Sequence, residues 1–520
     1  MKAAAFFNQL RTQITFERIF LLLFLTGLAI RFIQLDLKLF HHDEAVHAWF
    51  SIRLLTEGTY RYDPMFHGPL LYYLTAGTFA MFGASDLVGR IIPALLGSLL
   101  IPLIYPLYRL GYLDKKQTII AALFLAVSPS MIYFSRFLRN DIFIVFFSLL
   151  LLVAVLYYFE QGKTRYALIA AVAVAGGMCS KENMPIVLAI FASFLLYAVY
   201  SGKLTLPSSW RRDLLFGSLV VVGIMAAFYS SFGQHPEVLV SGAFEAISHW
   251  TSMHQQERLG GPPYFYLGLL LLYELPILVL AVVATGQFVL KGNPLRNPLR
   301  RNGSLDEYAG VETPQGCDRR REFARFCIYW MLLSLGVYAY LGEKVPWLIL
   351  HQLLPMIFVA TYLMDTKKFW AAAVFSVFLV TMCWHVAFVP SDINEPIVQV
   401  QNSEDLREVM ALIDGAGRTA IAMDHDLTWP LPWYYYGEKG SNLEYLGSKK
   451  TAEFFRSGNY DLIITHDLES YDALEGYEKR TYRARYWFST YEMMDRMLTY
   501  YFLRDGEPGT MNWDVFIKKG

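Results

Sequence analysis

Apolar residues in this chain fall into long blocks rather than short alternations. Between the N-terminus and Val389 the blocks run to roughly 17–27 residues, the length a helix needs to cross a bilayer. They predict about eleven transmembrane helices, near 16–35, 87–109, 117–134, 142–159, 166–180, 185–201, 214–232, 264–290, 326–341, 347–364 and 369–389. Two further stretches, 43–57 and 68–84, read as helices lying along the interface, so that a first external loop, 36–86, hugs the bilayer. Beyond Val389 the pattern turns polar, with strand-like runs at Ala420–Met423, Asp461–Thr465 and Trp513–Ile517. Helix-like patterns at Ser403–Ile413 and Tyr491–Leu503 alternate with them. The expected architecture is a polytopic α-helical domain over residues 1–390, followed by a small α/β domain over 391–520.

Composition agrees: 55% of residues are hydrophobic and only 17% charged, against about 25% charged in an ordinary soluble domain. The zero formal net charge gives no support for nucleic acid as a partner. Cys179, Cys317, Cys327 and Cys383 lie in expected spans or an internal loop, so neither a disulfide framework nor a zinc site is indicated. The first apolar block lacks a small-residue cleavage pattern and reads as a retained span.

Loop charge sets orientation. With the N-terminus cytoplasmic, the internal segments carry 21 Lys and Arg and the external loops eight. Counting 68–84 as a span would invert this. The odd span count then places the C-terminal domain outside the cytoplasm. The basic loop 291–325 is the expected disordered segment.

In this topology the unusual polar clusters share the external face. Asp43 and Glu44 follow the first span beside His41 and His42, and His67-Gly68-Pro69 lies later in the same loop. Arg136, Arg139, Asn140 and Asp141 link spans three and four, and Lys181-Glu182-Asn183 links spans five and six. His235, His249, His254, Glu257 and Arg258 precede span eight. Glu343, Lys344 and Trp347 join spans nine and ten, with His351 one turn further on. Taken singly, such charges often only mark the water interface, and a lone His351 is more often a satisfied core residue. Together they describe a membrane-level cavity in which a carboxylate takes a proton from a hydroxyl and cations neutralise a departing phosphate. Paired carboxylates could instead hold a divalent cation. A substrate with a phosphate at the interface and an apolar tail fits either case, and lipid-linked sugars are that class. No Walker or Rossmann glycine pattern points to a nucleotide.

At these residues the chain resembles the protein O-mannosyltransferase and aminoarabinose transferase group of GT-C-fold glycosyltransferases. The resemblance rests on Asp43-Glu44, His67-Gly68-Pro69 and SRFLRND (Ser135–Asp141), and covers residues 15–200 by motif and about 1–390 by topology. HHDEAVHAWF, FHGPLLYYL, RFLRND, SKEN and GEKVPWLILHQLLP look closer still to a prokaryotic, often archaeal, branch described as flippase-activity-associated. The resemblance implies an inverting transfer from a polyprenyl-phosphate sugar to a glycan or glycolipid acceptor on the extracytoplasmic side of the cell membrane. It places Asp43 at the catalytic base position with Glu44 its neighbour, and Asp141 as the second acidic residue near the donor phosphate. Arg136 or Arg139, and Lys181, would meet that phosphate. His67, Asn140, Glu182, Glu343, Lys344 and His351 complete the expected binding set. No cofactor is required; a divalent cation on Asp43 and Asp141 is the one candidate. The large internal luminal domain of the mannosyltransferases is missing here.

A reading from a different class is a non-catalytic protein that binds lipid-linked sugars and assists their flipping or assembly. A secondary transporter is weaker, because Arg31 and Arg90, the nearest charges to the membrane interior, sit close enough to span ends to snorkel. In the C-terminal domain, Asp424-His425-Asp426 and Thr465-His466-Asp467 at strand ends, and the aromatic run Trp429–Gly437, could bind ligand or simply pack.

Overall fold

The computed structural model describes residues 2–519 except 243, 246–247, 249–260, 292–313, 391–394, 449, 488–495 and 505–508. His249, His254, Glu257 and Arg258, most of the basic loop, and the first part of the helix expected at 491–503 lie outside the described residues. Among the described residues, six helices are long and apolar enough to cross a membrane: Gln13–Phe32, Asp86–Arg109, Asp141–Gln161, Trp210–Tyr229, Arg319–Tyr340 and Thr366–Phe388. Two bent pairs raise the number to eight: Lys115–Val127 with Pro129–Ser135, bent by 55°, and Phe265–Tyr273 with Leu275–Leu290, bent by 112°. The chain is a multi-pass membrane protein. Three of the eleven expected spans are shorter helices, Thr164–Met178, Met184–Tyr200 and Pro346–Ala360.

The bends have local causes. Ser128 is extended (φ −60°, ψ 122°) ahead of Pro129, the conformation a following proline favours. Glu274 sits at the other break, fully buried. Its Oε1 accepts from the Ser128 hydroxyl and the Ser130 amide, both at 2.9 Å. One carboxylate oxygen at the second break thus satisfies two donors at the first, where irregular backbone at membrane depth needs a partner.

Arg31 and Arg90 do not snorkel. Arg31 is fully buried, donating to Ser135 and to the carbonyls of Gly27 and Leu125. Arg90 is equally enclosed and pairs with Glu44.

The first helix, α1 (Lys2–Phe32), leads through a short turn to α2 (His42–Glu57) and then α3 (Leu70–Phe82). The C-terminal residues form one sheet of β1 (Thr419–Ile421), β2 (Leu443–Tyr445), β3 (Leu462–His466), β4 (Tyr477–Tyr486) and β5 (Thr510–Lys518) in the order β2-β1-β3-β5-β4. β1 is parallel to β2 and β3, while β5 is antiparallel to β3 and β4. One face buries Ile421, Ile464, Trp513 and Val515 against Leu406, Val409 and Ile413 of the Leu406–Gly415 helix. Leu39, from the turn before α2, packs into that same core.

Polar bonds reinforce the contact. Gln401 and Asn402 donate to the Leu39 and Phe40 carbonyls at 2.9 and 2.6 Å. The Phe40 amide donates to Tyr434 Oη at 2.9 Å, and Trp433 and Tyr434 both donate to Asp86. The aromatic run Trp429–Gly437 thus docks the sheet onto the helices. The sheet module also holds the segment that leads into Asp43.

Candidate active site

α2 starts with a capping box in which a histidine replaces the usual serine or threonine. His41 Nδ1 accepts from the Asp43 amide at 3.0 Å, and the Glu44 carboxylate accepts from the His41 amide at 2.9 Å. His41 Nε2 donates to the Gln399 carbonyl at 2.6 Å. Each ring nitrogen therefore has one role, which fixes the neutral tautomer. Burial pushes the ring's pKa down to about 4, against the pull of Asp43. Both carboxylates sit in the first turn of α2, where the helix dipole favours negative charge.

The two then diverge. Glu44 is fully buried, and its carboxylate accepts from Arg90 Nε and Nη2 at 2.8 and 2.6 Å and from the Leu138 amide at 2.7 Å. Asp43 faces the other way, with its side chain 24% exposed. His42 Nδ1 donates to Asp43 Oδ1 at 3.0 Å, and Arg139 pairs with Oδ2. Burial works to raise the Asp43 pKa. The Arg139 charge and the two histidines outweigh it and hold the group well below its ordinary value.

Arg139 bridges to a second carboxylate. Its Nε lies 3.3 Å from Asp141 Oδ2, and its guanidinium stacks 3.7 Å above the Trp347 ring. Asp141 opens the Asp141–Gln161 helix and is 1% exposed. Lys181 Nζ reaches both its oxygens at 3.0 Å, and His351 Nε2 stands 3.3 Å from Oδ1. His351 is stacked on Tyr338. Asp43, Arg139, Asp141 and Lys181 thus form an alternating row of charges, drawn from three separate links.

The expected His67 and Glu182 meet one another, His67 Nδ1 to Glu182 Oε2 at 2.9 Å. Burial works to raise the Glu182 pKa, and His67, a backbone amide and Lys181 together outweigh it, so the carboxyl stays below its ordinary value. Their loops are locked by backbone bonds from Gly68 to the Ser180 carbonyl and from Leu70 to that of Cys179. A Cβ at Gly68 would lie 2.3 Å from the Cys179 oxygen, so only glycine permits the approach. Asn140 is fully buried, with neither side-chain polar atom partnered among the described residues.

Other expected residues do not join the cluster. Glu44 serves Arg90 rather than the cavity, because residues adjacent in a helix point about 100° apart. Arg136 caps the end of α1, donating to the Ile30, Arg31, Ile33 and Gln34 carbonyls. Lys344 folds back onto the Tyr338, Ala339 and Leu341 carbonyls at the end of its preceding helix. The Glu343 side chain enters none of the cluster's bonds, and its carbonyl accepts from Tyr266 at 3.5 Å. The expected cation pair, Asp43 and Asp141, does not fit a divalent ion. Arg139 lies between the two carboxylates and Lys181 covers both oxygens of the second. Among the described residues no three His, Cys, Asp or Glu side chains converge.

Sequence reasoning missed several contributors. His47, one turn after Asp43, donates through Nδ1 to Tyr72 Oη at 2.8 Å, and Tyr72 passes its own proton to the Phe66 carbonyl. His47 Nε2 is left as a buried lone pair with no partner among the described residues. Burial, aided by Arg139, holds the ring neutral, its pKa well below the ordinary value. Gln352, beside His351, also carries unpartnered buried amide atoms, as does Asn183, already named in its link beside Glu182. An apolar-looking helix start gave no signal for Gln352. The i,i+4 spacing of Asp43 and His47 was visible.

Comparison with known proteins places this geometry. Residues 66–229 match the sequence model of the family described as dolichyl-phosphate-mannose-protein mannosyltransferase. The fold is similar to that of ArnT from Cupriavidus metallidurans bound to undecaprenyl phosphate (TM-score 0.52, 16% identity, 76% of this chain and 68% of that one). It is equally similar to the Archaeoglobus fulgidus oligosaccharyltransferase (TM-score 0.52, 13% identity, 86% of this chain and 67% of that one). No curated protein matches the sequence. At these identities the structural likeness speaks for the fold alone, which this chain shares with ArnT and with the oligosaccharyltransferase.

Proposed function

We propose that this chain is an inverting membrane glycosyltransferase. It moves a sugar from a polyprenyl-phosphate carrier to a glycan or glycolipid hydroxyl on the extracytoplasmic face, with residues 1–390 as the catalytic domain and 391–520 outside the cytoplasm. The excess of Lys and Arg in the opposite loops supports that orientation. The observation that carries the reading is the row of charges, with one partly exposed carboxylate at one end and buried cations behind it.

In this reading Asp43 accepts the proton of the acceptor hydroxyl while its oxygen bonds to the anomeric carbon from the face opposite the phosphate. The carbon–oxygen bond to the phosphate breaks, and its electron pair leaves with the polyprenyl phosphate. Arg139 and Lys181 supply the positive charge that stabilises the departing group. Asp141, with His351, holds both cations in place before donor arrives. A depressed pKa makes Asp43 a weak base in the empty site. Recruiting Arg139 to the phosphate removes the charge that depresses it, so donor binding itself strengthens the base.

The test is Asp43→Asn, reconstituted in liposomes with a polyprenyl-phosphate-linked sugar. Transfer is expected to fall by about 10²–10⁴ with donor binding retained. Unchanged transfer removes Asp43 from the mechanism. Donor binding and carrier translocation by a wild-type protein that makes no glycosidic bond would favour the lipid-linked-sugar-binding alternative.

A further inference from the structure

Along α2, Asp43, His47 and Phe50 follow at i, i+4 and i+7, and so share one face. Phe50 stands about 10 Å from Asp43, seven residues at 1.5 Å each. There the face opens onto a cavity of about 380 Å³, inside the roughly 300–1,000 Å³ range of small-molecule sites. Its walls include Phe50, Tyr60, Tyr62 and Phe66, with Arg61 and Glu245 among its polar groups. Tyr60 stacks on Tyr72, whose hydroxyl takes the His47 proton bond. Tyr62 donates to Glu182 at 3.2 Å, beside the His67 contact. The cavity is thus built from the same loops that position the charged row, yet no step of the transfer uses it.

We infer that this cavity is a saccharide subsite for the acceptor, lying along the same face of α2 as Asp43. The assignment rests on the glycosyltransferase reading and adds the chemistry of its acceptor. Aromatic faces offer flat apolar surface to the C–H side of a pyranose ring. Arg61 supplies donors, and Asp63 and Glu245 acceptors, for ring hydroxyls. The roughly 10 Å between Phe50 and Asp43 leaves room for more than one pyranose ring along this face. The ligand class is therefore a neutral oligosaccharide with more than one ring, rather than a peptide side chain.

Saturation-transfer NMR on the detergent-solubilised full chain tests this with free mannobiose, maltose and cellobiose as probes. Arg61→Ala and Glu245→Gln are the variants, since both residues are exposed and neither belongs to the charged row. At least one disaccharide is expected to bind, with affinity falling by about tenfold in each variant, one hydrogen bond's worth. Asp43→Asn should bind the same probe as well as wild type. Absence of binding by all three disaccharides, or binding that neither variant weakens, overturns the subsite. Because the readout needs no donor and no turnover, failure of the transfer chemistry shows separately, in the Asp43→Asn liposome assay.

Discussion

Replacing Glu44 by glutamine separates the jobs of two adjacent carboxylates. Glu44 is fully enclosed and accepts four hydrogen bonds, two from Arg90 and one each from the Leu138 and His41 amides. Among the described residues Glu44 is the one carboxylate hydrogen-bonded to Arg90, Asp86 acting on it only through its charge, and Arg90 spends its remaining hydrogens on the Leu35, Lys38 and Leu39 carbonyls. Glutamine keeps one carbonyl but turns an N–H toward a donor and leaves the buried guanidinium uncompensated. Breaking a buried pair in this way costs about 3–5 kcal/mol, a large share of the roughly 5–15 kcal/mol that stabilises a folded domain. The midpoint of thermal unfolding in detergent should fall by on the order of 5 °C or more. Transfer per folded molecule, measured well below that midpoint, should stay close to wild type. An unchanged midpoint together with a transfer defect matching Asp43→Asn would refute the division of labour and return Glu44 to the chemistry.

Arg139→Met should raise the acid limb of kcat/KM. In the wild type Asp43 ionises well below its ordinary 3.8, so the limb lies under that pH. Without Arg139 only the histidines oppose burial and the limb moves up; an unmoved limb would mean another group is the base. His41 should impose a pH dependence on stability. Its folded pKa of about 4 lies below the ordinary 6.5, so the unfolded chain binds the proton first. Stability is then lost as pH falls from 6.5 toward 4, by about 3 kcal/mol, and His41→Gln should flatten that part of the profile in chemical unfolding. Gly68→Ala forces a carbon against the Cys179 carbonyl and should cost about 1–3 kcal/mol, with slower transfer as His67 and Glu182 shift. Wild-type stability and rate in that variant would show that the loops tolerate separation.

Much of this arrangement is legible in the chain. Blocks of apolar residues mark the helices, and the polar links between them name Asp43, Arg139, Asp141, Lys181 and His351 before any coordinate does. What the chain withholds is pairing over distance. Glu44 reads like Asp43 until Arg90, 46 positions later, is seen to claim it. Arg136 reads like Arg139, yet one caps α1 and the other bridges two carboxylates. The strand β4 is missed because it is an edge strand carrying Glu478, Lys479, Arg480, Arg483 and Arg485, and edges are commonly charged. Glu274 gives no periodic signal, since its value lies in joining two breaks in different helices.

The docking of the sheet onto the turn before α2 has a consequence for biogenesis. Leu39, Phe40 and His41 donate hydrogen bonds to residues 358 to 394 positions further along the chain. At a synthesis rate of about 5–20 residues per second, the segment that aims Asp43 waits tens of seconds for its partners to emerge. Every membrane helix is then already made, but the base is not yet held. A chain truncated before Gln399 is therefore expected to keep its membrane helices but to lose the bonds that hold the segment leading into Asp43.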